Sequence, residues 1–336
     1  GRHVSSARPR VPPHLAGLGL VQILATEMTA DLKRQVDAGR EAAIALHEPR
    51  EVTLFSKDVE FGTVTIRADG SIDPASRIVG VDPDLVVKPF GWKGTSPSLR
   101  AFVRQALPQH IGLAPLPERL ATLGRPLYAS EIPDDDGDGV ARELHEGQLT
   151  ALAVYLALLD VPRVLMPRDP EAARAWRRGR GHFEALGCGN CHRAELPLGS
   201  SVFVERAPGS GAGIPIDVVK DNQQPPALEQ FDYVRALAVP LFSDLRRHDL
   251  GPSLVERVER GVPASVFLTR PLWGLGDRAY FLHDGRARSI AQAIRLHGGE
   301  AQSAADAYAK LDEAGRRELE VFLLSLRRAP QARIVP

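Results

Sequence analysis

The sequence predicts a mainly α-helical protein of two domains, with a small β-hairpin or meander in the first. Three observations lead to this fold class. Several segments repeat apolar residues every three to four positions, one segment alternates apolar and polar residues, and a proline-rich stretch divides the chain. With 336 residues, the chain has room for two domains of roughly 150 residues each.

The first domain opens with β structure and continues with helices. Alternation over Glu51–Ile72 predicts the hairpin or meander, closed by the turn residues Asp69 and Gly70. A helix is then predicted from Ser96 as N-cap and Pro97 as the first helical residue, because apolar residues follow at helical spacing. A second helix is predicted over residues 146–160.

The domain boundary is predicted in residues 161–170, which contain three prolines. We therefore assign residues 1–165 to the N-terminal domain and residues 166–336 to the C-terminal domain. In the latter, a helix places Trp176, Arg180 and Phe183 on one side and ends at the cysteines. Residues 199–226 are predicted to form a long loop because they are rich in Gly, Pro and Ser. The last helix carries an apolar stripe formed by Leu319, Phe322, Leu323 and Leu326.

The sequence GCGNCH contains both cysteines of the chain, Cys188 and Cys191, followed by His192. A structural zinc site needs about four ligands, and no further cysteine exists to supply them. A redox-active pair is expected after a strand in an α/β pattern, whereas this motif follows a helix and leads into a loop. Covalent haem attachment fits better: two thiols can add to the haem vinyl groups, and His192 is then the proximal iron ligand. A helix before the motif and an amphipathic helix at the end also match c-type cytochromes, which predicts a cytochrome c-like haem domain.

The sixth iron ligand is predicted to be a histidine, because neither methionine of the chain follows the motif. His248 and His283 lie beside turn residues, where a histidine bonded to backbone is the ordinary interpretation. His297 lies on the apolar face of a predicted helix that starts at Ser289 and ends before Gly298. We therefore predict His297 as the distal ligand, although a histidine at the last turn of a helix could also cap backbone carbonyls.

The C-terminal motifs GCGNCH, LFSDLRRHDLG, TRPLWGLG and YFLHDGRARSIAQAIRLHGGEA resemble the bacterial di-haem cytochrome c peroxidase superfamily. They are most similar to its di-haem oxidoreductase branch, also called thiol oxidoreductases, and the resemblance extends back through DLVVKPFGWKGTSPSLRAFVRQAL. In these peroxidases, a His-Asp-Gly turn precedes the distal ligand by fourteen residues. Transferred to this chain, the count runs from His283 to His297, where the family commonly has Met. A bis-His iron is expected to have a lower potential than a His/Met iron.

The resemblance implies two haems, but this sequence contains one CxxCH motif. The missing motif is expected just before PPHLAGLGLVQ, which begins at Pro12, so the catalytic residues of the peroxide-reactive centre stay unknown. His14 and His110 are candidates for its surroundings. The implied function is a periplasmic or otherwise exported c-type haem oxidoreductase that takes electrons from a small redox protein and passes them to a peroxide-reactive haem. The alternatives are a non-enzymatic electron carrier with one bis-His haem, and an enzyme that oxidises aromatic residues of a partner protein.

A second candidate site is the acidic sequence DDDGDG. Asp134, Asp136 and Asp138 have the spacing that begins an EF-hand-like calcium loop, but the twelfth position is His145 instead of the expected Glu. A solvated acidic turn is the alternative. Calcium near the domain interface is also a theme of the peroxidases that the chain resembles.

Composition excludes other classes of partner. The 42 basic and 42 acidic residues balance, which gives no reason to expect nucleic acid as a partner, and no apolar run reaches the roughly 20 residues of a transmembrane segment.

Trp92 and Trp273 could relay electrons, although large aromatics usually pack in the core. Several arginines near the motif could bind the carboxylates of a haem, or they could form a solvent-exposed helix face. These are Arg174, Arg177, Arg178, Arg180 and Arg193.

Overall fold

The structure is a computed structural model that describes residues 10–113, 143–161, 163–207, 211–223, 225–226, 228–231 and 236–327. Seven α-helices and twelve strands lie in these ranges, and every strand pair is antiparallel. The fold therefore combines helices with small sheets and is mixed, so the prediction of a mainly α-helical protein is confirmed only in part: the helices are present, with more β structure than expected. Most of these strands have only two to four residues, which is too short to show an alternating pattern in sequence.

The first elements are a long helix and a three-stranded sheet. They are α1 (Leu18–Leu46), β1 (Arg50–Ser56), β2 (Val59–Ile66) and β3 (Arg77–Ile78), with sheet order β1-β2-β3. The predicted meander is present. The turn between β1 and β2 is at Lys57 and Asp58, which both have positive φ, and the predicted turn at Asp69 and Gly70 directly follows β2. The sequence pattern did not reveal α1 because residues 18–25 are all buried, so its start has no polar face.

Two helices follow, α2 (Leu99–His110) and α3 (Glu146–Ala157). The N-cap of α2 is Ser98, whose hydroxyl accepts from the backbone N–H of Ala101, and not Ser96 as predicted. Arg100 on α2 donates to Glu205 through Nε at 2.6 Å, and both side chains are buried. This ion pair ties α2 to a strand that comes after the cysteine motif.

In the described part of the second half there are four α-helices and nine short strands. Before and around the motif lie β4 (Arg163–Val164), α4 (Pro170–Ala185), β5 (Leu196–Leu198), β6 (Val202–Glu205), β7 (Ile214–Asp217), β8 (Glu229–Gln230) and β9 (Leu237–Val239). After them come β10 (Arg247–Asp249), β11 (Val266–Leu268), α5 (Ile290–Arg295), α6 (Gln302–Lys310), α7 (Glu313–Leu324) and β12 (Leu326–Arg327). The stretch predicted as a long loop, residues 199–226, contains the β6–β7 hairpin. Strands β5, β9 and β8 form a second sheet, β10 pairs with β11, and β4 pairs with β12.

The crossing of α4 and α7 fixes the end of the helix that leads into the motif. Gly179 lies at the crossing, where a Cβ atom would be only 1.9 Å from the backbone oxygen of Glu318. The rings of Trp176 and Phe183 contact Phe322 edge-on, with centroids 5.6 and 5.4 Å away. Arg180 is exposed, so the buried side of α4 contains Gly179 where Arg180 was expected.

Two groups of buried apolar residues form the core. The first surrounds α1 and takes residues from both sides of the proline-rich stretch, including Leu24, Phe61, Leu149, Leu196 and Phe203. The second surrounds the α4–α7 crossing. In the described ranges, no helix has the length and apolar character needed to span a membrane.

Candidate functional site

The GCGNCH motif forms a compact turn directly after α4. Gly187 has a φ of 81°, which a side chain would strain, and a 3₁₀ turn over Cys188–Asn190 follows it. The backbone N–H of His192 donates to the carbonyl of Cys188 at 2.9 Å. Both cysteines are half-buried free thiols. The turn therefore presents two thiols and one imidazole from a single short segment.

A cavity opens beside this turn, and it brings the predicted residues together. Cys188, Cys191, His192 and His297 all line it, as do His248 and His283. Its walls are largely apolar and come from α4, the β11 segment, α5 and α7, with side chains such as Phe183, Phe267, Leu272, Phe281, Ile294 and Leu323.

His192 is held through one ring nitrogen only. Its Nδ1 lies 3.0 Å from the carbonyl oxygen of Phe242. Because a carbonyl can only accept, Nδ1 carries the proton. Burial, aided by the charge repulsion of His297, outweighs the hydrogen bond with Phe242 and lowers the pKa of His192 to about 4. The ring is thus neutral at pH 7, with an Nε2 lone pair that has no partner among the described residues.

His297 repeats this arrangement. Its Nδ1 lies 2.8 Å from the carbonyl oxygen of Ala293, and burial lowers its pKa. The Ser289 hydroxyl caps α5 by accepting from the N–H of Gln292, as the sequence predicted. The helix ends earlier than predicted, so His297 lies one residue beyond its C-cap, Leu296, and not on its last turn.

His248 differs from both because its two ring nitrogens each face a carboxylate. Nε2 lies 2.7 Å from Asp244 and Nδ1 lies 2.8 Å from Glu300. Burial lowers the pKa of His248, but hydrogen bonds with Asp244 and Cys191 outweigh this and raise it to about 10. Potential ligand atoms of Cys191, Asp244 and His248 lie within 4.8 Å of one another. However, an imidazolium at the centre of this cluster is a cation and not a metal ligand.

His283 is buried against the ring of Phe267, with centroids 4.8 Å apart. Its closest charged contact is Asp284, at 3.9 Å from Nε2, which is too long for a hydrogen bond. Since His283 also lines the cavity, it is the second candidate for an iron ligand.

The thiols do not have the character of a redox-active pair. Burial raises the pKa of Cys188 to about 11, so this thiol is protonated at pH 7. Reactive cysteines in CxxC motifs instead have lowered pKa values and attack as thiolates. The redox-pair interpretation is therefore disfavoured.

The donor set fits a covalently attached haem. Two thiols and two neutral imidazoles line one largely apolar cavity, and each imidazole fixes its orientation by an Nδ1–H bond to a backbone carbonyl. Metal-bound histidines have this arrangement, in which the second nitrogen donates to a carbonyl and the first binds the metal.

The other residues singled out in sequence divide into two groups. Trp92 and Trp273 line the cavity and donate through their indole N–H groups to the carbonyls of Val11 and Pro240. Sequence reasoning missed Arg270 and Arg278, which also line the cavity. The arginines of α4 are exposed and lie outside the cavity. They are Arg174, Arg177, Arg178 and Arg180.

The predicted calcium ligands Asp134, Asp136 and Asp138 lie outside the described residues. His145, which occupies the twelfth position of that pattern, precedes α3, and its backbone N–H donates to the side chain of Gln148 at 2.8 Å.

Comparisons with known proteins give one extensive match. A family model described as "Di-haem oxidoreductase, putative peroxidase" matches residues 39–326. No curated protein matches the chain. Among solved structures, a Kuenenia stuttgartiensis hydrazine synthase pressurized with 20 bar xenon is similar at 20% identity and a TM-score of 0.31. The match covers 55% of this chain and 56% of that chain, which is about half the length of each.

Proposed function

The chain belongs to the di-haem oxidoreductase family, and from this premise we propose that it is a peroxidase-like c-type haem oxidoreductase. Membership makes it a haem-based oxidoreductase. The finer proposal is that its haem takes electrons from a small redox protein and passes them toward a second haem that reacts with hydrogen peroxide. Both cysteines of the sequence lie in one motif, so these residues can attach one haem covalently. A second covalently attached haem would need two further cysteines, which this sequence does not contain.

One observation carries the proposal. Two neutral histidines face the same cavity beside the CxxCH cysteines, and each uses Nδ1 for a hydrogen bond to a carbonyl, so that its Nε2 is available to bind iron. We assign the thioether bonds to Cys188 and Cys191, the proximal ligand to His192 and the distal ligand to His297. Such a haem supplies one-electron transfer between its ferric and ferrous states. The residues around it hold the two imidazoles neutral, fix their rings and exclude water with apolar walls.

Two histidine ligands also support the alternative, a non-enzymatic electron carrier. With both histidines bound, the iron would have no open position for peroxide, and a bis-His iron would favour the ferric state more than His/Met ligation does. Both functions need a maturation system for covalent haem, which supports an exported, periplasmic location.

The first experiment counts covalent haem. The chain is expressed with a c-type maturation system, and the pyridine haemochrome assay is run on denatured protein. We expect one haem per chain, and none in the variant with both Cys188→Ala and Cys191→Ala. Absence of covalent haem in the wild type would overturn the proposal.

The second experiment tests the distal ligand. His297→Ala should convert a low-spin ferric spectrum to high-spin, because one strong ligand is lost. His283→Ala is the matched control, since it removes another cavity histidine and should leave the spectrum low-spin. The opposite pattern would move the assignment to His283.

The third experiment separates the two functions. Reduced small cytochrome c is mixed with the haem-loaded chain and hydrogen peroxide, and its oxidation is followed. Turnover supports the peroxidase-like enzyme. Rapid electron exchange without peroxide turnover favours the carrier.

A further inference from the structure

Two arginines in one segment face the haem-binding cavity. Arg270 precedes Pro271 and follows β11, and Arg278 directly follows the 3₁₀ turn Leu275–Asp277. Both side chains are half-buried and line the same cavity as the CxxCH motif.

Neither guanidinium has an acidic partner among the described residues. No carboxylate of this part of the chain lies within 4.0 Å of Arg270 or Arg278, whereas the half-buried cations Arg10, Lys57 and Lys88 each pair with one. Arg270 donates only through Nη1, to the carbonyls of Pro89 and Gly91, both at a long 3.3 Å. Its Nε and Nη2 groups are left for another acceptor.

The electrostatics agree with the geometry. Burial is the main cause, and repulsion by Arg278 the second, of a pKa for Arg270 that is lowered to about 10. Burial alone lowers the pKa of Arg278. Two desolvated cations that repel each other are unfavourable unless an anion joins them.

We propose that Arg270 and Arg278 bind the two propionate carboxylates of the haem. The inference rests on the proposed function, because it requires a haem in this cavity. The planar guanidinium donates two parallel N–H bonds to a carboxylate, so an arginine pair suits a ligand with two carboxylates. This assignment replaces the suggestion that the arginines of α4 bind the propionates, since the side chains of those arginines are exposed to solvent.

The test uses the haem-loaded protein and three substitutions. Arg270→Gln and Arg278→Gln each remove one guanidinium from the cavity. Arg178→Gln is the control, because Arg178 is an exposed arginine of α4 that pairs with Glu318. For each protein, the midpoint potential is measured by spectroelectrochemistry from pH 5 to pH 9.

We expect two shifts in the cavity variants. The potential falls, since losing a nearby cation favours the more positive ferric haem. The pH range in which the potential varies with pH moves upward, because a propionate without its cation has a higher pKa. Arg178→Gln should match the wild type in both measurements.

Further readouts separate binding from support of the fold. Arg270→Lys retains the positive charge and should restore the potential in part, whereas a purely structural role would leave the pH dependence unchanged in all variants. The propionate-bending bands in resonance Raman spectra should also shift in Arg270→Gln and Arg278→Gln. If the variants contain one covalent haem with wild-type potential, pH dependence and Raman bands, the inference is refuted while the proposed function stands. If the wild type itself contains no haem, the proposed function fails first.

Discussion

A pair of glycine substitutions in α4 tests the helix crossing that fixes the cysteine motif. Gly179→Ala places a methyl group 1.9 Å from the backbone oxygen of Glu318, and ordinary contact begins at 3.4 Å, so the two helices must separate by about 1.5 Å (3.4 minus 1.9). Because the obstacle is backbone, no side-chain rotation relieves it. Gly181→Ala lies two residues away on the same helix, where nothing is within 4 Å of the added Cβ.

Both substitutions gain the same helix propensity, about 1 kcal/mol for Ala over Gly. Gly181→Ala should therefore raise the free energy of unfolding by up to about 1 kcal/mol. In Gly179→Ala, overpacking of about 1–3 kcal/mol opposes this gain. The difference between the two variants isolates the steric effect, so Gly179→Ala should be less stable than Gly181→Ala by roughly 1–3 kcal/mol.

The assay is urea unfolding of both variants and the wild type in the same haem state, followed by circular dichroism. Since Trp176 and Phe183 pack at the same crossing, Gly179→Ala should also alter the near-ultraviolet aromatic signal, whereas Gly181→Ala should not. Equal stability of the two variants would refute the close helix contact.

Two further predictions concern buried cations. Lys93 is fully buried and donates to three backbone carbonyls at 2.6–2.9 Å. Because each carbonyl left without a donor costs about 1–3 kcal/mol, Lys93→Met should reduce the free energy of unfolding by about 3 kcal/mol or more. A loss below about 1 kcal/mol in urea unfolding would contradict this prediction. His248 has a pKa raised to about 10, so its stabilising contribution is complete below the unfolded value near 6.5 and is lost as pH rises through 10. The stability advantage of wild type over His248→Gln should therefore shrink steadily from pH 6.5 to 9.5, and a constant difference would argue against the charged pair with Asp244.

Features set by neighbouring residues could be predicted from sequence. The apolar period of α7 and the Ser289 cap of α5 depend on residues within one or two helical turns, and both are present in the structure. The residues of the CxxCH motif lie together for the same reason. His297 lines the cavity beside Ile290 and Ile294, as its spacing from these residues predicted, although the helix ends before it.

Features set by distant contacts could not be predicted. Arg180 fits the helical spacing of the buried face, but the approach of α7 requires a glycine at position 179 and leaves Arg180 in solvent. His248 and His283 looked equivalent in sequence. Their difference arises from two carboxylates beside His248. Asp244 is only four residues away in sequence, but Glu300 is fifty-two residues away and reaches the ring only after the chain folds.

The two predicted iron ligands differ in how far along the chain their supporting carbonyls lie. His297 bonds to Ala293, four residues earlier, whereas His192 bonds to Phe242, fifty residues later. The distal imidazole can thus be oriented as soon as one turn of helix forms. The proximal imidazole gains its orientation only when a fifty-residue loop closes, with the entropy cost of that closure. Partial unfolding of residues 193–242 would therefore free the proximal ligand while the distal one keeps its local hydrogen bond.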